Sequence, residues 1–215
     1  MHILAINGSP RKNWNTGMLL NKVLEGAASQ GASTELIHLY DLNYKGCVSC
    51  FSCRLKGGAS FGKCAVKDDL EIVFKKVYKA DGIILGTPIY MGAIAGETQS
   101  FLERLLYPLF NVETGTSLFG RYIPTGIIYT MGVTEEQRIQ MGYPLRFGDI
   151  EMTMKLIFGE LESLAVTDTW QFEDYSRYAN PLGINIEEKA KRRAEIFPKD
   201  CQKAFEMGVR FADSK

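Results

Sequence analysis

The feature that most constrains this chain is an alternation between short apolar runs and stretches of helical periodicity. Residues 2–6 form such a run, closed by Asn7-Gly8-Ser9-Pro10, a turn signal. From Thr16 the spacing turns helical, with Leu20, Val23, Leu24 and Ala27 on one face. Residues 33–39 alternate as a second strand. Asp68 and Asp69 then open a helix whose apolar face is Leu70, Val73, Phe74 and Val77. Residues 81–85 read as a third strand closed by Gly86-Thr87-Pro88, and Phe101, Leu102, Leu105 and Leu106 as a helix stopped near Pro108. Residues 122–130 predict a fourth strand with Pro124 near its start, 152–164 a helix and 165–170 a fifth strand. The C-terminal region reads as helical, with one helix ending at Phe197 and Pro198 opening the next. Strands alternating with helices predict an α/β fold: a five-stranded parallel sheet covered on both faces, a doubly wound three-layer sandwich. Ligands on such sheets bind at the carboxyl ends of the strands, so chemistry is expected after strands one, three and four.

Composition narrows the ligand. The chain has 215 residues, with 25 Lys+Arg against 25 Asp+Glu. Zero net charge argues against a general nucleic-acid or membrane-surface binder, which needs a basic excess. No apolar run approaches the ~18 residues of a membrane span. The first ten residues read as a buried strand and turn rather than a signal peptide, so the expected location is cytoplasmic. In that compartment the five cysteines are expected to be free, metal-binding or redox-active rather than disulfide-paired.

The loop after strand one runs from Asn7 to Gly17 into a helix N-terminus. Free N–H groups and the helix dipole there favour a phosphate. Ser9, Asn15 and Thr16 offer side-chain donors and Arg11 a charged fork. The nucleotide-triphosphatase and dinucleotide glycine fingerprints are absent, as is a loop cysteine or a strand-ending aspartate. A terminal phosphate monoester suits what remains. The plainer alternative is a polar turn with an Asn or Thr helix cap. After strand three, residues 86–96 combine apolar and aromatic side chains with Pro88 and Gly92. Such a surface suits a flat ring read by backbone amides, or else Ile89 and Tyr90 simply pack on the next helix.

Gly8-Ser9-Pro10-Arg11-Lys12-x-x-Asn15-Thr16, together with Pro88-Ile89-Tyr90-Met91-Gly92 and Cys64-x-x-x-Asp68-Asp69, resembles the NAD(P)H-dependent FMN reductase group of flavodoxin-like proteins. The resemblance covers residues 1 to about 132 and departs at Trp14, where the family pattern usually has glycine. It implies strand order 2-1-3-4-5 and one flavodoxin-like FMN-binding domain over residues 1–215, with a Cys-rich insertion at 46–67. It implies an FMN phosphate held by Ser9, Arg11, Asn15 and Thr16, and a ring lying along Pro88, Ile89, Tyr90, Met91 and Gly92. Thr130, Met131 and Gly132 would form the ring's other border. It further implies a homodimer or homotetramer, with residues 107–121 and 133–147 as interface candidates or plain surface loops.

Cys47-x-x-Cys50-x-x-Cys53, followed by Cys64, has the spacing of iron–sulfur ligation in its first three members. This resembles the iron–sulfur flavoproteins, except that ten residues separate Cys53 from Cys64, about twice that family's gap. A 4Fe–4S cluster, a zinc ion and plain thiols all stay open. Cys201 reads as a core cysteine. His2 and His38 read as structural, and 187–199 as a solvated helix face.

Three functions fit these residues. The first is an oxidoreductase passing electrons from NAD(P)H through FMN to a quinone, flavin, nitro or azo compound, with no catalytic side chain required. The second is an iron–sulfur electron-transfer module served by ferredoxin. The third is a non-catalytic flavin binder.

Overall fold

The computed structural model describes residues 1–180 and 184–213. The strands are β1 (His2–Asn7), β2 (Ser33–His38), β3 (Gly82–Tyr90), β4 (Ala93–Ile94), β5 (Phe110–Asn111), β6 (Thr116–Ser117), β7 (Ile123–Thr130) and β8 (Gly159–Val166). The helices are α1 (Asn15–Ser29), α2 (Leu70–Lys79), α3 (Gly96–Leu109), α4 (Glu135–Gln140), α5 (Tyr143–Phe158), α6 (Ile186–Glu195) and α7 (Phe197–Asp213). The main sheet runs β2-β1-β3-β7-β8, all parallel, with β4 added antiparallel to β3. Counting the parallel strands alone, this is the predicted 2-1-3-4-5 order of a flavodoxin-like fold.

Burial on both faces explains why β1, β3 and β7 read as continuous apolar runs. One face carries α1 and α7 over Ile3, Ala5, Ile84 and Ile128. The other carries α2, α3 and α5 over Leu4, Ile6, Leu85 and Ile127. Helix α1 buries Leu19, Leu20, Val23, Leu24 and Ala27, then stops at Gln30 and a left-handed Gly31. Pro124 stands at the second position of β7, where a missing N–H is tolerated.

Four expectations need correction. The third strand does not close at Leu85 but continues through Pro88 to Tyr90. Its end is held by a tight hairpin, in which Ala95 N–H donates to the Pro88 carbonyl at 3.2 Å. The fifth strand begins at Gly159 rather than 165, because Gly159 (φ 104°) ends α5 and the following residues pair with β7 at the edge of the sheet. The sequence predicts a helix over 152–164, but α5 ends at Phe158. Third, 133–147 is no loop: it holds α4, opened by a Thr134–Gln137 capping box, and the start of α5. The helix break lies at Ile196, with Phe197 opening α7 rather than closing α6. Among the described residues no helix is long and apolar enough to cross a membrane.

Candidate functional site

The loops after β1, β3, β7 and β8 meet at the carboxyl edge of the sheet. The first is bent tightly back on itself. The Lys12 carbonyl lies where a Cβ on Gly17 would stand, so only glycine fits in the first turn of α1. Trp14 occupies the N-cap without a side-chain cap, and the first turn carries no acid. The N–H groups and the positive end of the helix dipole are therefore left for an outside anion. Ser9, Asn15 and Thr16 are buried beneath this turn, while Arg11 is exposed.

Several of these side chains already have protein partners. Ser9 Oγ accepts from the Arg11 N–H at 3.2 Å. Thr16 and Thr130 share one hydroxyl bond at 2.8 Å, which joins α1 to the end of β7 and leaves one O–H for a ligand. Asn15 donates to the Trp170 carbonyl at 2.8 Å and accepts from Arg193 at 2.8 Å. Arg11 stacks on Trp14 at 4.0 Å and donates to the Gln171 carbonyl. Trp14, the departure from the family pattern, donates its indole N–H to the Trp170 carbonyl at 2.9 Å. It is thus part of the wall.

The second loop is a two-residue hairpin between β3 and β4, with Met91 (φ 51°) and Gly92 (φ 79°) both left-handed. Glycine suits that turn; methionine at positive φ costs on the order of 1 kcal/mol. The Met91 side chain is wholly exposed. A Cβ on Gly92 would meet Arg146 of α5. Tyr90 is half-buried and lies close enough to Arg11 to feel its charge, although burial still pushes its phenol upward. The loops after β1 and β3 therefore face each other.

After β7, Thr130 and Met131 are buried, so Met131 turns no side chain to solvent at the edge. Its N–H donates to Val166 and its carbonyl accepts from Thr169. Gly132 packs against the Gln171 side chain, which a Cβ would displace.

The segment 167–171 and helix α6 complete this edge, and the sequence reading missed both. The charged stretch of α6 is not simply solvated. Lys189 is 2% exposed, paired with Asp168, and donates to the Gly132 carbonyl at 3.1 Å. A lone lysine in a Glu/Lys/Arg run carries no mark of burial. The signal was the aromatic run Trp170, Phe172, Tyr175, Tyr178, whose rings pack together beyond β8.

The cysteines lie elsewhere. Cys47, Cys50, Cys53 and Cys64 all open on one cavity of about 740 Å³, walled by Leu102, Leu106 and Tyr107 of α3 and Ile150 and Leu156 of α5. None of the predicted flavin residues lines it. Two hydrogen bonds from Ser52 hold the Cys50 thiol below its usual range, whereas burial pushes Cys53 up. Arg104 is buried and donates its Nε–H to Cys64 Sγ at 3.3 Å. Its other donors pair with Asp68 and reach the Lys45 and Val66 carbonyls, tying both ends of the insertion to α3. Asp68 was expected only to open α2; it still accepts from Leu70 N–H, but it also holds this arginine.

Residues 1–141 match the NADPH-dependent FMN reductase family. The chain belongs to that family. An iron-sulfur flavoprotein of Methanocaldococcus jannaschii is 36% identical over 104 residues, 48% of this chain and 51% of its own length. One from Archaeoglobus fulgidus is 27% identical over 202 residues, 93% of this chain and 85% of its own. The matched part thus spans about half the length of the first of these relatives. The NAD(P)H:quinone oxidoreductase from Methanothermobacter marburgensis shares the fold, with a TM-score of 0.73 at 13% identity over 97% of this chain and 98% of that one.

The edge fits the flavin cofactor of an FMN reductase. An uncapped helix start free of acid, glycines where a Cβ would collide, and a left-handed hairpin are features an anionic ring ligand uses. The cysteines fit a cluster less well. They offer suitable sulfurs on one cavity, but among the described residues no three His, Cys, Asp or Glu side chains are gathered closely enough to hold a metal ion.

Proposed function

We propose that this chain is an FMN-dependent oxidoreductase that takes electrons from NADH or NADPH and passes them to a small acceptor such as a quinone, a flavin, or a nitro or azo compound. The observation that carries this reading is the convergence of an acid-free, uncapped α1 start with the β3–β4 hairpin and the end of β7 at one edge. Bound FMN supplies the redox chemistry, accepting a hydride and giving up electrons. The chain's own residues bind and orient. In this reading Ser9, Arg11, Asn15 and Thr16 surround the phosphate with the first-turn N–H groups of α1. Residues 88–92 present backbone to the ring, with Thr130, Met131 and Gly132 opposite. Burial and nearby Lys12 push the His38 imidazole below its usual range, and its Nδ1 accepts from the Asn7 amide at 3.0 Å. It supports the floor of the phosphate loop. We read residues 1–215 as one domain, and the five free thiols suit a reducing compartment such as the cytoplasm. Exposed Leu145, Met152 and Leu156 support a homo-oligomer.

The test is anaerobic. Protein loaded with FMN should lose its flavin absorbance on addition of NADH or NADPH and regain it with a quinone. Tightly bound FMN that neither nicotinamide reduces would leave the non-catalytic flavin binder instead.

A second reading, an iron–sulfur flavoprotein served by ferredoxin, is favoured by four cysteines opening on a single cavity. The sulfurs would have to close up to ligate a cluster. Anaerobic reconstitution with iron and sulfide should then give stoichiometric iron that disappears in Cys50→Ser; flavin colour alone sinks this reading.

A further inference from the structure

Helix α6 lies outside the five parallel strands, yet two of its charged side chains end at the loops assigned to the flavin. Lys189 donates to the Gly132 carbonyl at 3.1 Å and the Thr169 carbonyl at 3.2 Å, and pairs with the Asp168 carboxylate. All three ammonium hydrogens are engaged. Asp168 itself is left-handed (φ 48°), and its N–H donates to the Val133 carbonyl at 2.6 Å. One helical turn along the same face, Arg193 donates to Asn15 Oδ1 at 2.8 Å and lies over Phe197 at 4.1 Å. The Asn15 amide is thereby oriented between Arg193 and the Trp170 carbonyl. Burying an ammonium is unfavourable until its partners offset it, and an apolar side chain would fill the same space at less cost. What the charge adds is direction, because it fixes where three oxygens on two loops must stand.

We propose that Lys189 and Arg193 are positioning residues of the flavin site, Arg193 setting the phosphate end through Asn15 and Lys189 the ring end through Gly132. The proposal rests on the flavin reading above. It assigns the two residues different ligand dependence, which general destabilisation would not produce. Dissociation constants for FMN and for riboflavin, which lacks the phosphate, would be measured by fluorescence quenching. Arg193→Ala should weaken FMN by about tenfold, as the Asn15 amide is no longer held and loses about one hydrogen bond to the phosphate, and leave riboflavin within about twofold. Lys189→Met should weaken both ligands alike. Asp168→Asn keeps the shape of its site and should do the same to a smaller extent, should Lys189→Met fail to fold. Equal loss of FMN and riboflavin in Arg193→Ala overturns the proposal, as do unchanged constants in all three variants. A wild-type protein that binds no FMN sinks the flavin reading itself, and this proposal with it.

Discussion

Arg104 shows how much one side chain can organise. It is 2% exposed and spends its donors on Cys64, Asp68, Lys45 and Val66. Removing it would leave the half-buried Asp68 carboxylate without its cation and the cysteine segment untied from α3. Arg104→Met should cost about 3–5 kcal/mol in urea unfolding, as expected when one partner of a buried pair is lost. Proteolysis within 46–67 should quicken in the same variant. At the loop after β1, Arg11→Ala and Thr16→Ala should each weaken FMN by about 1–3 kcal/mol in a quench titration. Arg11 is exposed, so its variant should leave the thermal midpoint nearly unchanged. Thr16 also bonds Thr130, so its variant should lower stability as well. Neither Arg104 nor Lys189 was legible as a buried charge. Pattern reading assigns a single basic residue to the surface, because the residues that would pair with it are remote in sequence, 36 positions away for Arg104 and Asp68.

At the level of elements, legibility followed burial. Strands β1 and β7 and helices α1 and α2 bury regular apolar patterns, and residues such as Ile6, Val23 and Val77 announced them. Strand β8 sits at the edge with its side chains only partly buried, so the 159–164 segment gave no contrast between faces. The β3 extension was hidden for another reason. Pro88 reads as a strand breaker, yet its carbonyl still accepts from Ala95 and the Met91-Gly92 turn closes the ladder. The turn after β1 could be read because its residues sit beside each other; the packing of 167–171 against it could not. One glycine ties loop to helix. Gly17→Ala places a Cβ against the Lys12 carbonyl, so the loop must move. The expected outcome is at least about tenfold weaker FMN binding, with a loss of 1–3 kcal/mol in stability from overpacking. Unaltered binding would remove this bend from the site.

For the whole molecule, pH offers a direct check on how the β1–β2 edge is held. Burial lowers the pKa of His38, and Lys12 adds to the effect. The unfolded chain therefore takes up this proton more readily than the folded one. His38 contributes stability that is present above its unfolded value near pH 6.5 and is lost as the pH falls through the lower folded value. Thermal midpoints should decline on acidification below about pH 6.5, and His38→Asn should flatten that slope. The two faces of the sheet are also closed at different times. Helices α2, α3 and α5 come from the middle of the chain, but α1 is covered by α7. Their backbones nearly touch at Gly26 and Gly208, where the Phe205 and Val23 carbonyls take the space of a side chain. On the ribosome, then, α1 waits with Val23 and Ala27 uncovered until α7 has emerged. A nascent chain that holds α1 but not yet α7 is adhesive along that helix, and a chaperone guarding it would have to hold α1 until α7 arrives.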